Sequence, residues 1–399
     1  MNVNVLEDLV NIAPKVNAPS GWRPAVEFDE TTGFGEATTQ GLISEPNFDE
    51  FLRSAGYDPD VYEVVGNTVK TSKWQQREGG EWLTSFRFTF RLKNKLIDLP
   101  LLYSQAKQKA RKTPVAGLKP KALVILFSDL QLGKSDHRGG TAELLVRVEQ
   151  VKARLIALVK KEKPSKVVFC DVGDIIESFS NTADMAQLQS NDLSLMSQVD
   201  LAATIVWDYL KALSALVDEV TYATVGSNHC QNRINKQRVG LLTDDWGVFI
   251  GRTLARLSKE VGLGIKFIEP APHDESLAHD VFGDGYHILG LWHGHQANRP
   301  ESIPDWWRKQ SFGRQPVAGA TIGVSGHFHH LRVQELGSTH SGGSRFWVQA
   351  ATLDSGSNWF RLNSGEDSQP GLVCFLLEAG QDFTGSVLKL QPPKESATV

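Results

Sequence analysis

Lys121-Ala-Leu-Val-Ile-Leu-Phe127-Ser-Asp129-Leu-Gln131-Leu-Gly133 is the stretch whose reading decides the fold. From Ala122 to Phe127 every residue is apolar, so no face is left for water, and this marks a strand buried on both sides. The run then breaks into Ser128, Asp129 and Gln131, with Gly133 free to turn the backbone. Working outward, Lys166–Cys170 and Glu219–Val225 repeat the buried-strand pattern. Helical periodicity fills the gaps at Thr141–Glu162 and Leu195–Asp218, and Leu241–Glu260 precedes a short strand at Ile265–Ile268. Strands alternating with helices predict βαβ units. After about residue 279 the pattern becomes strand-rich, at Tyr286–Trp292, Thr321–Val324, Leu331–Glu335, Arg345–Ala350 and Leu372–Leu377. A parallel half followed by a more antiparallel half predicts an α/β (α+β) fold with two packed sheets flanked by helices.

Residues 1–118 read as a separate small α+β module with a basic linker, ahead of a main domain over 119–395. Asn47–Ala55 predicts a short helix capped by Asn47 and stopped by Gly56. Val61–Trp74 predicts two strands joined by a hairpin turn at Gly66-Asn67. In Trp82–Leu92 the residues Phe86, Phe88 and Phe90 alternate with Arg87, Thr89 and Arg91, which gives one aromatic and one basic, polar face. Lys107–Pro120, with two prolines, reads as the linker.

The net charge of −4 is mild but unevenly placed. Between Arg87 and Ala122 ten Lys/Arg face the single acid Asp98, so this segment carries +9 and the remainder about −13. Arg87, Arg91, Lys93 and Lys95 on such a segment are candidate phosphate contacts. Cys170, Cys230 and Cys374 are few, odd in number and widely spaced, which predicts no disulfide framework and a reducing cytoplasm. Met1–Pro14 holds Glu7 and Asp8 and lacks the pattern of a signal peptide. No stretch approaches 18 uninterrupted apolar residues, so no membrane span is expected.

Polar clusters stand where the predicted strands end: Ser128-Asp129-Leu-Gln131, Gly173-Asp174-Ile-Ile-Glu177, Gly226-Ser227-Asn228-His229, His293-Gly294-His295 and Gly326-His327-Phe328-His329. Each alone has an ordinary structural use as a cap, a turn or a hydrogen-bonded core histidine. Together they fit a ligand site, because in open α/β sheets such sites lie beyond the carboxyl ends of the strands. The mixture of carboxylate, amide and imidazole suits divalent transition metals.

In this order the clusters resemble the motifs of the calcineurin-like metallophosphoesterases over roughly residues 121–380, and the first resembles that of SbcD-type DNA exonucleases. A stand-alone chain with its own amino-terminal module is similar to those encoded by bacteriophages. The resemblance implies a four-layer αββα sandwich of two mixed sheets and a dinuclear centre. Asp129 would hold the first metal, Asp174 would bridge both, and Asn228, His293 and His327 would hold the second. His329 would return to the first, and His229 would touch the substrate phosphate and serve the leaving group. Two divalent ions are implied, Mn²⁺ first, with Mg²⁺, Zn²⁺, Fe²⁺ or Ni²⁺ also compatible. Gln131 stands where the family has histidine. Its oxygen either coordinates more weakly or only supports the ligands, and Asp136 or His137 could compensate. Ser227 adds a residue to the third motif, and His295 competes with His293 for the fourth. Asn232 and Arg233 are candidate substrate contacts, and Trp306, Trp307, Trp359 and Phe360 are candidate base-stacking residues.

The leading expectation is therefore a metal-dependent phosphodiesterase, a DNA exonuclease or endonuclease that meets DNA through the 87–122 segment. It would work in the cytoplasm, the host's if the chain is phage-encoded. One alternative is a phosphodiesterase or phosphatase for cyclic or other small nucleotides. Another is a nucleic-acid-binding protein with reduced catalysis, a reading that Gln131 favours and an intact Asn228-His229 opposes.

Overall fold

The computed structural model describes residues 25–29, 34–40, 48–75, 82–92, 119–178, 191–234, 237–339, 342–358, 361–362, 365 and 368–393. The chain divides into two compact units, Met1–Leu96 and Ile97–Val399. The linker expected at Lys107–Pro120 lies, up to residue 118, outside the described residues, as do Trp359 and Phe360.

The first unit is an antiparallel sheet of β1 (Ala25–Asp29), β2 (Phe34–Gln40), β3 (Tyr62–Gln75) and β4 (Trp82–Leu92), in the order β1-β2-β4-β3. Helix α1 (Phe48–Ser54) precedes β3, and Gly56 follows it at φ 85°. The alternation in β4 holds: Phe86, Phe88 and Phe90 are buried with Leu52, Ala55 and Val64, while Arg87 and Thr89 face out. The hairpin expected at Gly66-Asn67 is not there. Tyr62–Gln75 is one strand, and a register shift between Val64 and Val69 absorbs the glycine. Because β4 is 11 residues long it pairs with both halves of β3, so a bulge answers the same turn signal at less loss of ladder.

In the second unit β5 (Lys121–Phe127), β6 (Lys166–Asp171), β7 (Glu219–Thr224) and β10 (Lys266–Ile268) are parallel neighbours. The two-residue strands β8 (Arg233–Ile234) and β9 (Gln237–Arg238) form a separate ribbon. Helices α2 (Thr141–Glu162), α3 (Leu195–Ser214) and α4 (Trp246–Glu260) connect the parallel strands. Each connection steps in the same direction across the sheet, and right-handed crossovers then put every helix on one face. That face carries Leu123, Ile125 and Phe127 of β5 against Leu144, Val148, Leu155 and Leu210 of the helices.

The opposite face is left for a second sheet, made of β11 (Leu277–Asp280), β12 (Ile288–Leu291), β13 (Ile322–Ser325), β14 (Arg332–Ser338) and β15 (Ser344–Gln349). Its order is β11-β12-β13-β15-β14, with β12, β13 and β15 parallel and the two edges antiparallel. Val124 and Leu126 meet Leu289, Leu291, Val324 and Val348 across the inter-sheet core. Both faces of β5 are therefore buried, as its unbroken apolar run requires. Strands β16 (Leu372–Glu378) and β17 (Leu388–Leu390) extend the first sheet antiparallel beyond β5. Helix α5 (Ile303–Phe312) covers the outer face of the second sheet through Trp307, packed with Trp292, Val317 and Trp347. The result is a helix–sheet–sheet–helix α+β sandwich with two mixed sheets.

Two helix boundaries differ from expectation. The helix predicted from Leu241 starts at Trp246, because the Asp245 carboxylate accepts from the amides of Gly247 and Val248 and ends the preceding loop. The helix predicted to Asp218 ends at Ser214. No described helix is long and apolar enough to cross a membrane.

Candidate metal centre

The carboxyl ends of β5, β6, β7, β12 and β13 deliver the five polar clusters to one place. The local backbone is unusual there. Among the described residues eight non-glycine residues have positive φ, and five of them are Asp129 (53°), Gln131 (46°), Asp174 (54°), His327 (74°) and His329 (61°). Left-handed backbone at a non-glycine residue costs about 1–3 kcal/mol and survives only where the surroundings impose it. Cross-strand hydrogen bonds impose it here. The Asp129 amide donates to the Gly173 carbonyl at 2.9 Å, and the Gln131 amide to the Asp174 carbonyl at 2.9 Å. Glycine at 326 lets the loop pass close to Ser128 and Asp129, since a Cβ there would meet Ser128 Oγ and Asp129 Oδ2 and force them to shift.

The tightest group is Asp174, His293 and His327, whose ligand atoms all lie within 4.8 Å of one another. His293 is fully buried, and its Nδ1 is 2.7 Å from the Val172 carbonyl. A carbonyl only accepts, so Nδ1 carries the proton and Nε2 is left with its lone pair. Nε2 faces Asp174 Oδ2 at 3.0 Å and Asn228 Oδ1 at 3.0 Å. Three acceptors converging on one point need a positive charge between them, either a proton or a metal ion. The basicity of these groups agrees: burial opposes charge on His293, yet the Asp174 and Asp129 carboxylates outweigh it and push its pKa up. His327 goes the other way. Burial and the neighbouring His293 lower it to about 3, so it stays neutral with a lone pair to offer. This donor set fits a divalent cation.

Beside it lie Asp129 and His329. The Asp129 carboxylate is fully buried, accepts from the His327 amide at 3.0 Å and takes a hydrogen bond from Ser128 Oγ. His329 Nε2 is 3.4 Å from Asp129 Oδ1, and its Nδ1 is 3.4 Å from Asp354 Oδ2. Burial opposes charge on His329, but the two carboxylates together raise it to about 10.

His229 sits at the rim. Its amide donates to Asp174 Oδ1 at 2.9 Å, and its Nε2 stands 3.9 Å from Asp174 Oδ2. Its Nδ1 faces the Glu177 carbonyl at 3.1 Å and Glu177 Oε2 at 3.3 Å. Burial works against the imidazolium, but Asp174 and Glu177 raise its pKa to about 9.

The remaining candidates are placed as follows. Gln131 Nε2 meets His229 Nε2 at 3.2 Å, and its Oε1 accepts from Lys134 Nζ at 2.6 Å. His295 lies beside Glu275 at 3.9 Å, and its ring centre is 5.5 Å from that of His293. Asn232 is exposed and its amide reaches the Asp244 carbonyl at 3.4 Å. Arg233 is half-buried on β8 opposite Arg238 and feels the field of Asp174. The Asp136 carboxylate is taken up by the backbone amides of His137 and Asn358. Trp307 is core, with its Nε1 donating to the Val317 carbonyl.

Three functional candidates escaped the sequence reading. Glu177 lies in a quoted motif without a role assigned to it. Asp354 is fully buried and follows the carboxyl end of β15, the next parallel strand of the second sheet, so the strand-end signal could have found it. Lys134 had no signal, since a lysine in a loop reads as solvated.

No protein-family model matches the sequence, and no curated protein matches it. Solved structures similar to it include a protein of unknown function from Aquifex aeolicus, AQ665, at 14% identity and TM-score 0.23, covering 53% of this chain and 81% of that one. A second is the sulfate thiohydrolase SoxB of Thermus thermophilus, at 13% identity and TM-score 0.29, covering 70% of this chain and 58% of that one. A third is GAP50, described as the anchor in the inner membrane complex of Plasmodium, at 12% identity and TM-score 0.24, covering 69% of this chain and 90% of that one. Likenesses this slight carry no argument about this chain.

Proposed function

We propose that the protein is a metal-dependent phosphodiesterase that cleaves nucleic acid, with DNA as its substrate. The observation that carries the reading is the convergence of Asp174 Oδ2, His293 Nε2 and Asn228 Oδ1 on one point, with His229 at its edge. The order of the strand-end clusters, which resembles that of the calcineurin-like metallophosphoesterases, supports it.

A divalent cation bound there supplies an acidified water and neutralises charge on the phosphoryl oxygens. The chain does the rest. Asp174, Asn228, His293 and His327 orient the centre. Val172 fixes the His293 tautomer. The attacking water would give up one proton to solvent as its oxygen bonds phosphorus, the bond from phosphorus to the leaving oxygen would break, and His229 would give that oxygen a proton. Glu177 holds His229 by its other nitrogen and favours the charged form that has a proton to give. Such an acid contributes about 10²–10⁴-fold in rate.

The +9 stretch between Arg87 and Ala122 supports nucleic acid over a small nucleotide, because phosphate-tracking surfaces are basic. The test is a cleavage assay with Mn²⁺, with and without chelator, on linear single- and double-stranded DNA and on bis-p-nitrophenyl phosphate. Metal-dependent DNA cleavage that weakens steeply between about 50 and 200 mM salt is expected. Cleavage of the small ester alone, indifferent to salt, would move the assignment to small nucleotides. No hydrolysis of either under any divalent ion would remove it.

A further inference from the structure

We propose that the ammonium of Lys134 closes the first of the two metal positions, so that this chain holds one divalent ion, at Asp174, Asn228, His293 and His327. The inference rests on reading the site as a metal centre and concerns how many ions it takes.

A first position built like that of the resembling family would draw on Asp129, residue 131, Asp174 and His329. In this chain the oxygen of the Gln131 amide is already engaged. Its Oε1 accepts from Lys134 Nζ at 2.6 Å, and its Nε2 faces His229 Nε2 at 3.2 Å. The assignment of oxygen and nitrogen is not free, because an ammonium has only protons to give and must meet the oxygen. Turning the amide would point NH₂ at the Lys134 ammonium, setting two donors against each other. So any ion that Gln131 Oε1 held would share that oxygen with the Lys134 ammonium.

Lys134 is not a passing surface side chain. Its Nζ also donates to Asp354 Oδ2 at 2.9 Å, and its side chain is 13% exposed. Asp354 is fully buried, and Gly356 donates to its other oxygen at 3.0 Å. The loop that carries Lys134 is tight, with the Lys134 amide donating to the Gln131 carbonyl at 3.0 Å. Gly133, at φ 94°, packs so close to Gln198 that a Cβ would strike the Gln198 side chain. The same Asp354 oxygen lies 3.4 Å from His329 Nδ1, so His329 is shared between Asp354 and Asp129.

The electrostatics follow from these distances. An ion ligated by Gln131 Oε1 at ~2.1 Å would lie within about 5 Å of the ammonium, with two positive charges set against a third. The carboxylate oxygen that pairs with the ammonium, Asp354 Oδ2, is 2.9 Å from Lys134 Nζ. The ammonium therefore holds a fixed positive charge against one ligand of the first position, Gln131 Oε1, and shares that ligand's oxygen. The second position has no such competitor: its converging atoms are all acceptors.

The experiment is metal stoichiometry on the full chain, stripped with chelator and reloaded with Mn²⁺, read by elemental analysis and by manganese electron paramagnetic resonance. One ion per chain with an uncoupled six-line spectrum is expected. Lys134→Met with Gln131→His should take up a second ion and show the spectrum of an exchange-coupled pair, and Lys134→Met alone should raise second-ion affinity at least tenfold in calorimetry. Two ions of comparable affinity in the unaltered chain would overturn the inference while leaving the phosphodiesterase assignment standing. A double variant that is folded by circular dichroism and still takes one ion would also overturn it. An unaltered chain that binds no ion at all would overturn the assignment together with the inference.

Discussion

His229 Nδ1 stands 3.3 Å from the carboxylate of Glu177, three positions after Asp174 on the same loop. One short segment thus supplies both a ligand for the centre and the support for the acid that works beside it. Glu177 is buried with its carboxylate facing His229 Nδ1, and its part is to position His229. Replacing Glu177 by glutamine should lower kcat about tenfold, less than the 10²-fold or more expected for His229→Ala. KM should hardly move.

The pH profile distinguishes a positioning role from a structural one. His229 has its pKa raised to about 9 by Asp174 and Glu177 against the effect of burial, so its proton is present below that range and is lost as pH rises through it. A cation on Asp174 takes back part of the rise, which puts the basic limb of kcat below about 9. Glu177→Gln should move that limb further down, since a carboxylate that favours the imidazolium is gone. An unmoved limb would show that Glu177 does no more than fill space.

Metal binding should be readable without any substrate. An ion bound to the folded chain at a hundred times its Kd stabilises it by about 2.7 kcal/mol. Chelator should therefore lower Tm by several degrees and Mn²⁺ restore it. Asp174→Ala and His293→Ala should each abolish the Mn²⁺ response, because each removes an atom of the converging set.

Gly326→Ala tests the loop that brings His327 to Asp129. The new methyl would meet Ser128 and Asp129, and the His327 amide would lose its carboxylate. A loss of about 1–3 kcal/mol in stability is expected from the overpacking, with metal affinity down about 10–100-fold as for other groups that support ligands. Retained affinity would mean the loop yields without moving the imidazoles.

Asp171 gives the stability of the metal-free chain a pH dependence. Burial raises its carboxyl to about 6, against the hydrogen bonds from Tyr222 and Gly173 that favour the charged form. A raised folded pKa means stability that is fully present below about 3.9, the ordinary aspartate value, and lost as pH climbs through about 6. The cost at neutral pH is at most about 3 kcal/mol. Thermal melts of chelated protein from pH 4 to 7 should fall less for Asp171→Asn than for the unaltered chain. Parallel curves would mean the carboxyl is ionised throughout.

The sandwich and the strand-end clusters were legible because they rest on local chemistry. An apolar run with no polar face has to be buried on both sides, and β5 is. Polar residues that interrupt such runs gather at the carboxyl edge because parallel strands end there together, so the clusters holding Asp129, Asp174, Asn228, His293 and His327 could be placed in advance, while the choice of residue within each was what the resemblance implied. The turn at Gly66-Asn67 was misread because the same glycine serves a hairpin or a bulge, and the length of the partner strand chooses. Which nitrogen of His293 carries the proton, what holds His229, and where the Lys134 ammonium goes were decided by the tertiary structure alone. Each depends on an atom supplied by another segment: the Val172 carbonyl, the Glu177 carboxylate, the buried Asp354. Residue patterns record what a side chain is and which face it takes. They do not record which distant group the packing sets against it, and in a buried site that neighbour decides the charge and therefore the chemistry.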